Sequence, residues 1–364
     1  MRLPRRQRLR AVLSEELRQL TTVQASDRAW PMPLAAALSS GLPLLAGAAL
    51  GRIGDGLVAS LGGLVFLYLP ATSLAQRMVA LLACAFGMLA CYTLGAASGQ
   101  WPPAIIPALV AITILVTMTC RIYALGPPGS LFFVMAAAIG AYSPVTAAEL
   151  PRMAGLFGFG GLLACAVGFC YSVFTLRGRA PPSQPPLPAF DFGYVVLDAV
   201  VIGAAVGLSL LAAQLLALPK PYWVPVSCLA VIQGVSLRAI WNKQLQRVLG
   251  TGAGVALAWG LLSLPLGGWS VAAMVMLLTF LIEMLVVRHY ALATALITPL
   301  TILLAEAATL GQAAPGALVQ ARFVDTLLGC AIGLAGGWCL HNPRCRAAAG
   351  AWLRRLAPAG ARER

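Results

Sequence analysis

Apolar residues in this chain come in long unbroken runs, and polar residues come in short clusters between them. Twelve runs can be counted, near 33–51, 56–71, 76–98, 102–120, 128–146, 152–176, 194–218, 221–237, 245–264, 268–287, 289–308 and 321–340. About 20 apolar residues make a helix long enough to cross the ~30 Å hydrocarbon core of a bilayer. A helix also satisfies its own backbone polar groups there. The pattern therefore predicts an all-α polytopic membrane protein with about twelve transmembrane helices. Polar stretches divide the chain into an arm (1–30), a first half (31–176), a linker (177–193), a second half (194–341) and a tail (342–364). In the arm, Leu9, Val12, Leu13, Leu17 and Leu20 recur at helical spacing opposite Arg and Glu. That reads either as an amphipathic helix on the cytoplasmic membrane surface or as a disordered basic arm. The linker is rich in proline and is expected to be extended and cytoplasmic.

Composition agrees with the pattern. The chain is 60% hydrophobic and 10% charged, with a mean hydropathy of +0.86. A soluble domain is about half apolar and about a quarter charged, so water-soluble folding of 364 residues could not hide this much apolar surface. The formal charge of +14 raises nucleic acid as a partner, but the arginines cluster at the termini and in short loops. With the N-terminus inside and twelve alternating spans, all of the Lys and Arg residues except Arg52, Arg152, Lys220 and Arg322 fall on the inner side. That is the positive-inside bias. It predicts a multi-pass protein of the cell inner membrane with both termini cytoplasmic, partnered by the lipid bilayer and not by nucleic acid.

The nine cysteines lie mostly within apolar runs and include no C-x-x-C pair. They read as packing residues, with no metal and no cofactor implied. No H-E-x-x-H, nucleophile elbow, paired catalytic carboxylates or Walker loop is present, so the chain reads as no enzyme.

The two halves echo each other. Arg121-Ile122-Tyr123-Ala124-Leu125 matches Arg288-His289-Tyr290-Ala291-Leu292, 167 residues on. Gln76-Arg77 matches Gln246-Arg247, and Arg152 matches Arg322, each 170 residues on. An even number of spans per repeat makes the halves parallel. The expected fold is thus two parallel six-helix repeats, and duplicated transporters place their sites near the repeat interface.

Four segments of the second half carry a family resemblance. They are Lys220-Pro221-Tyr222-Trp223-Val224-Pro225, Gln246-Arg247-Val248-Leu249-Gly250-Thr251, the stretch from His289-Tyr290 to Thr298-Pro299, and Arg322-Phe323-Val324-Asp325-Thr326. Together, and in this order, they resemble the fusaric-acid-resistance (FUSC) family. The resemblance implies an inner-membrane efflux permease for small organic acids, aromatic carboxylic acids foremost. Its members often work beside a periplasmic membrane-fusion subunit. The distantly similar aluminium-activated malate channels imply the alternative of a passive organic-anion channel. Assembly of the chain with copies of itself stays open. The first half keeps only fragments of these motifs, and the cytoplasmic domain of larger members is replaced here by the linker.

Charges inside spans are costly and mark functional candidates. Glu283 is the proton-coupling candidate, or the partner of Arg247 or Arg288; its repeat counterpart is Val116, so the fold does not require a carboxylate there. Arg247, beside Gly250 and Thr251, is the candidate for holding a substrate carboxylate, against a packing and anchoring role. Thr298-Pro299 interrupts a helix ladder and, with Tyr290, is expected to expose unwound backbone to a polar substrate. Arg247, Thr251, Tyr290 and Thr298 are thus the substrate-site residues. Arg322 and Asp325, three apart, are expected to form a structural ion pair. Trp223, Trp259 and Trp269 read as interfacial belt residues.

Overall fold

The computed structural model describes residues 22–25, 28–177, 192–234, 236–306 and 315–348. The amphipathic arm, the proline-rich linker and most of the basic tail lie outside them.

Each apolar run forms a helix, but four of the twelve fall short of a span. The helices are α1 (Pro31–Ala49), α2 (Ile53–Gly63, continued by a 3-10 turn Leu64–Tyr68), α3 (Leu74–Gly99), α4 (Ile105–Ile122), α5 (Leu131–Ala141) and α6 (Leu150–Leu176). The second half contains α7 (Phe192–Leu215), α8 (Trp223–Ile232), α9 (Leu237–Leu262), α10 (Gly268–Leu285), α11 (Tyr290–Glu306) and α12 (Pro315–His341). Among the described residues eight helices are long and apolar enough to cross a membrane. The four shorter ones are α2, α5, α8 and α11. An 11-residue helix such as α5 rises about 16 Å, near half the hydrocarbon core. Twelve equal spans are therefore not what the chain forms.

Local sequence explains the short helices. Gly126-Pro127-Pro128-Gly129 precedes α5 and Pro144 follows it; Pro221 precedes α8 and Gly234 follows it. Proline lacks the amide that would extend a helix, and Gly129 sits at φ +60, where only glycine is unstrained. Backbone ends at this depth need partners, and at Gly129 a side chain supplies one. Tyr68 Oη donates to the Gly129 carbonyl at 2.7 Å. Gln233 Nε2 donates to Ser130 Oγ at 2.8 Å, and Thr117 Oγ1 donates to the same oxygen at 3.2 Å.

The short helices lie inside, and most of the long ones outside. Every residue of α8 is buried, and α5 buries most of its length. The long helices expose large apolar side chains such as Phe86, Leu115, Phe159, Phe174 and Leu277. In water such exposure would mark an aggregating surface; in a bilayer it is the lipid-facing surface.

Packing pairs recur at a spacing of six helices. α3 packs on α5 as α9 packs on α11, and α2 packs on α6 as α8 packs on α12. α4 packs on α7, and α10 packs on α1, so the halves meet along two long-helix seams, with a smaller contact between the short helices α5 and α8. Small residues allow the close approach: Gly160 of α6 abuts the Ala59 carbonyl of α2, and Gly329 of α12 abuts the Val224 carbonyl of α8, with no room for a Cβ.

Candidate functional site

The four short helices surround a cavity of about 1140 Å³, to which all twelve helices contribute. The short helices turn residues one helical turn apart toward it: Leu57 and Leu61 of α2, Leu131 and Met135 of α5, Trp223 and Val226 of α8, Leu300 and Leu304 of α11. The cavity reaches both ends of the bundle. Ser130, Gln233 and the Arg28–Glu283 pair line one end; Asp55, Tyr142 and Lys220 line the other. Cross-links identify these ends. At the first, Gln233 is bonded to Ser130. At the second, Gln214 Nε2 donates to Tyr142 Oη at 2.7 Å, and Arg152 donates to Asp55 at 2.5 Å.

Six cations line the cavity, Arg28, Arg121, Lys220, Lys243, Arg247 and Arg322, against two carboxylates, Asp55 and Glu283. This excess decides the sign of any charged ligand. The carboxylates are already engaged. Arg28 Nη1 lies 2.7 Å from Glu283, and Asp55 takes Arg52 as well as Arg152. Arg121 is paired at 2.7 Å with Asp198, at the start of α7. Lys243 lies over the Tyr290 ring, 5.4 Å from its centroid. Among the described residues, neither Arg247 nor Arg322 has a carboxylate within 4.0 Å.

Arg247 and Tyr290 are brought together. Arg247 Nη1 donates to Tyr290 Oη at 3.0 Å and Nη2 to Ser227 Oγ at 3.4 Å, while Nε has no partner. Thr298 is buried on α11 against Gly254 of α9, Thr251 is buried on α9, and neither lines the cavity. Thr298 Oγ1 donates back to the Thr294 carbonyl at 3.1 Å. The unwound backbone expected at Pro299 is not present, because α11 continues through it. Gly254 of α9 fits against the Ala295 carbonyl, the oxygen that the missing Pro299 amide would otherwise have bonded. Ile297 and Thr301, on the neighbouring face, line the cavity instead.

Arg322 and Asp325 depart from the expected pair. Both oxygens of Asp325 lack a hydrogen-bond partner, as do Nε and Nη1 of Arg322. The guanidinium lies over Trp223 at 4.3 Å from the ring centroid, a cation–π contact worth ~2 kcal/mol when desolvated. Arg322 therefore belongs to the cavity wall. Trp223 is 5% exposed and is no interfacial residue, whereas Trp259 and Trp269 stand exposed. Tyr222 extends the aromatic wall, 5.1 Å from Trp223 and 5.9 Å from Tyr142. The signal for this wall was present in Pro221-Tyr222-Trp223-Val224-Pro225, where two prolines confine two aromatics.

The matching arginines of the first half are used differently. Arg77 donates to the Thr72 carbonyl at 2.9 Å and to Ser172 and Thr175, and does not line the cavity. Arg152 is held by Asp55. Tyr123, the counterpart of Tyr290, is 64% exposed. Unpaired cationic N–H groups thus come from the second half.

Comparison with known proteins agrees with that asymmetry. The family model described as fusaric acid resistance protein-like matches residues 199–336, which carry Trp223, Arg247, Glu283, Tyr290, Arg322 and Asp325. The chain is also similar to an uncharacterized membrane protein, YvaC, of Bacillus subtilis (strain 168), 32% identical over 166 residues. That match covers 45% of this chain and 25% of the relative, so the chain spans about a quarter of the relative's length. No solved structure matches. Residues 199–336 of this multi-pass membrane protein are thus similar to the fusaric acid resistance protein-like family.

Proposed function

We propose that the protein exports small organic carboxylic acids, aromatic ones foremost, across the inner membrane through this cavity. The observation that carries the reading is the pair Arg247 and Arg322: both are buried in the cavity wall, both have unpartnered N–H groups, and Trp223 lies against Arg322. A guanidinium donates bidentately to a carboxylate, and an indole face with apolar walls accepts an aromatic ring. The arrangement proposed is two parallel six-helix repeats with both termini cytoplasmic. The recurring packing pairs support it, as does the distribution of basic residues. The short helices complete the crossing where irregular backbone borders a cavity instead of lipid. Glu283 serves as the proton-coupling carboxylate, since its protonation releases Arg28 and loosens the seam between α10 and α1.

A passive organic-anion channel is the second reading, favoured by a cavity lined from one end of the bundle to the other. Inside-out vesicles separate the two. The exporter predicts benzoate uptake that stops with an uncoupler and is lost in Glu283→Gln; the channel predicts conductance indifferent to both. No benzoate movement in either assay would sink both readings. The resemblance also implies a periplasmic membrane-fusion subunit, testable by co-purification with the full chain.

A further inference from the structure

Two guanidinium groups share the cavity wall without a carboxylate bonded to either. Arg322 is 4% exposed and Arg247 5%. Each is held by neutral groups, the Trp223 face for Arg322 and the Tyr290 and Ser227 hydroxyls for Arg247. Such groups orient a cation and leave its charge uncancelled. Each arginine also lies within the other's field. Asp325, one turn from Arg322 on α12, makes no hydrogen bond to it through either oxygen. The Asp325 carboxylate acts on Arg322 through space, so one carboxylate stands against two guanidinium groups; an uncompensated buried charge costs several kcal/mol, and two like charges add repulsion. The walls therefore call for a counter-ion whenever no substrate carboxylate lies between them. That counter-ion must be negative and able to accept several N–H groups, and it need not be organic.

We propose that Arg247 and Arg322 hold a small inorganic monovalent anion of the chloride class between turnovers, which an organic carboxylate displaces. The proposal rests on the carboxylate-export reading for its second step only. One anion leaves as another enters, so the net charge of the site is unchanged and no covalent bond forms or breaks. One consequence follows: inorganic anion competes with substrate for the site.

The test uses the full chain in lipid nanodiscs at constant pH and ionic strength, with chloride replacing isethionate. A ligand bound by the folded state raises the unfolding temperature saturably. The expected result is a saturable rise with chloride that disappears when benzoate is saturating. The apparent chloride affinity should fall at least about tenfold, ~1.4 kcal/mol, in Arg322→Gln and Arg247→Gln, and be largely kept in Arg322→Lys. If the Gln variants do not fold, the wild-type competition between chloride and benzoate decides alone. A wild-type unfolding temperature indifferent to chloride overturns the proposal, as do Gln variants that respond like wild type. Stabilisation by benzoate without any by chloride sinks this inference and leaves the carboxylate site standing. Stabilisation by neither sinks both.

Discussion

Arg28 and Asp198 stand 170 positions apart, carry opposite charges, and close equivalent seams of the bundle. Arg28 precedes α1 and pairs with Glu283 of α10 at 2.7 Å. Asp198 opens α7 and pairs with Arg121 of α4, also at 2.7 Å. The two seams join the halves, and each carries one ion pair with acid and base exchanged. Either charge reversal, Arg28→Glu or Glu283→Arg, leaves two like charges facing each other. Each is expected to cost about 2–4 kcal/mol, somewhat under the ~3–5 kcal/mol of a fully buried pair, because the Arg28 side chain keeps 28% of its exposure. The double exchange restores the pair in reverse order and should recover at least half of the loss in unfolding temperature. A double variant no more stable than the worse single one would show that the pair is not the origin of the effect.

The contact of α9 with α11 predicts opposite outcomes at two glycines of one helix. At Gly254 a Cβ meets the Ala295 carbonyl and the Thr298 side chain, whereas at Gly260 nothing lies within 4 Å. Gly254→Ala should destabilise by about 1–3 kcal/mol, the usual cost of overpacking. Gly260→Ala should be neutral or stabilising by up to ~1 kcal/mol from helix propensity. Unfolding temperatures of the two variants in one detergent check both. Equal effects would mean that the two helices are not in close contact.

Charge and shape at Arg322 can be separated in a transport assay. Arg322→Gln removes a charge-assisted hydrogen bond to the carboxylate, worth ~1.5–3 kcal/mol, and should weaken benzoate transport roughly 10- to 100-fold. Arg322→Lys keeps the charge without the fork and should retain an intermediate rate. Trp223→Leu should lower preference for benzoate over acetate more than it lowers acetate transport itself. A Gln variant with unaltered benzoate affinity would exclude Arg322 from the substrate site.

Tyr290 and Thr298 lie on the same helix and should behave differently. Tyr290→Phe removes the phenol that Arg247 donates to at 3.0 Å, so the guanidinium loses its alignment and benzoate KM should rise several-fold. Thr298→Val removes a hydroxyl that bonds only within α11 among the contacts seen and faces away from the cavity. Its KM should stay within about twofold of wild type, with the change felt in stability, since a buried hydrogen bond contributes ~1 kcal/mol. A large KM effect at Thr298 with none at Tyr290 would reverse the site assignment.

Membrane character, the number of helices and the special status of the second half can all be read along the chain. Each depends on properties local in sequence: run length, charge at run ends, and motifs within one helix and its flanks. Arg247 and Tyr290 could be singled out as candidates on the same local basis. What could not be read was which faces meet. Apolar runs of α5 and α8 look like spans because flanking apolar residues continue the hydropathy, while Pro and Gly end the helix itself. The spacing of Arg322 and Asp325 allows an i,i+3 pair, yet Trp223 from a helix 99 residues earlier offers the guanidinium another partner. Glu283 found its partner 255 residues away in Arg28, a pairing no local pattern encodes. Thr298 shares α11 with Tyr290, and Thr251 lies one turn beyond Arg247 on the same side of α9, yet both are buried outside the cavity lining, because how far along a helix the cavity extends is set by the neighbours packed against it. Composition and periodicity thus determine that these helices form and lie in a bilayer, because solvent acts on each segment separately. Tertiary packing decides which charges remain unpaired, because a counter-ion is set by distance in space.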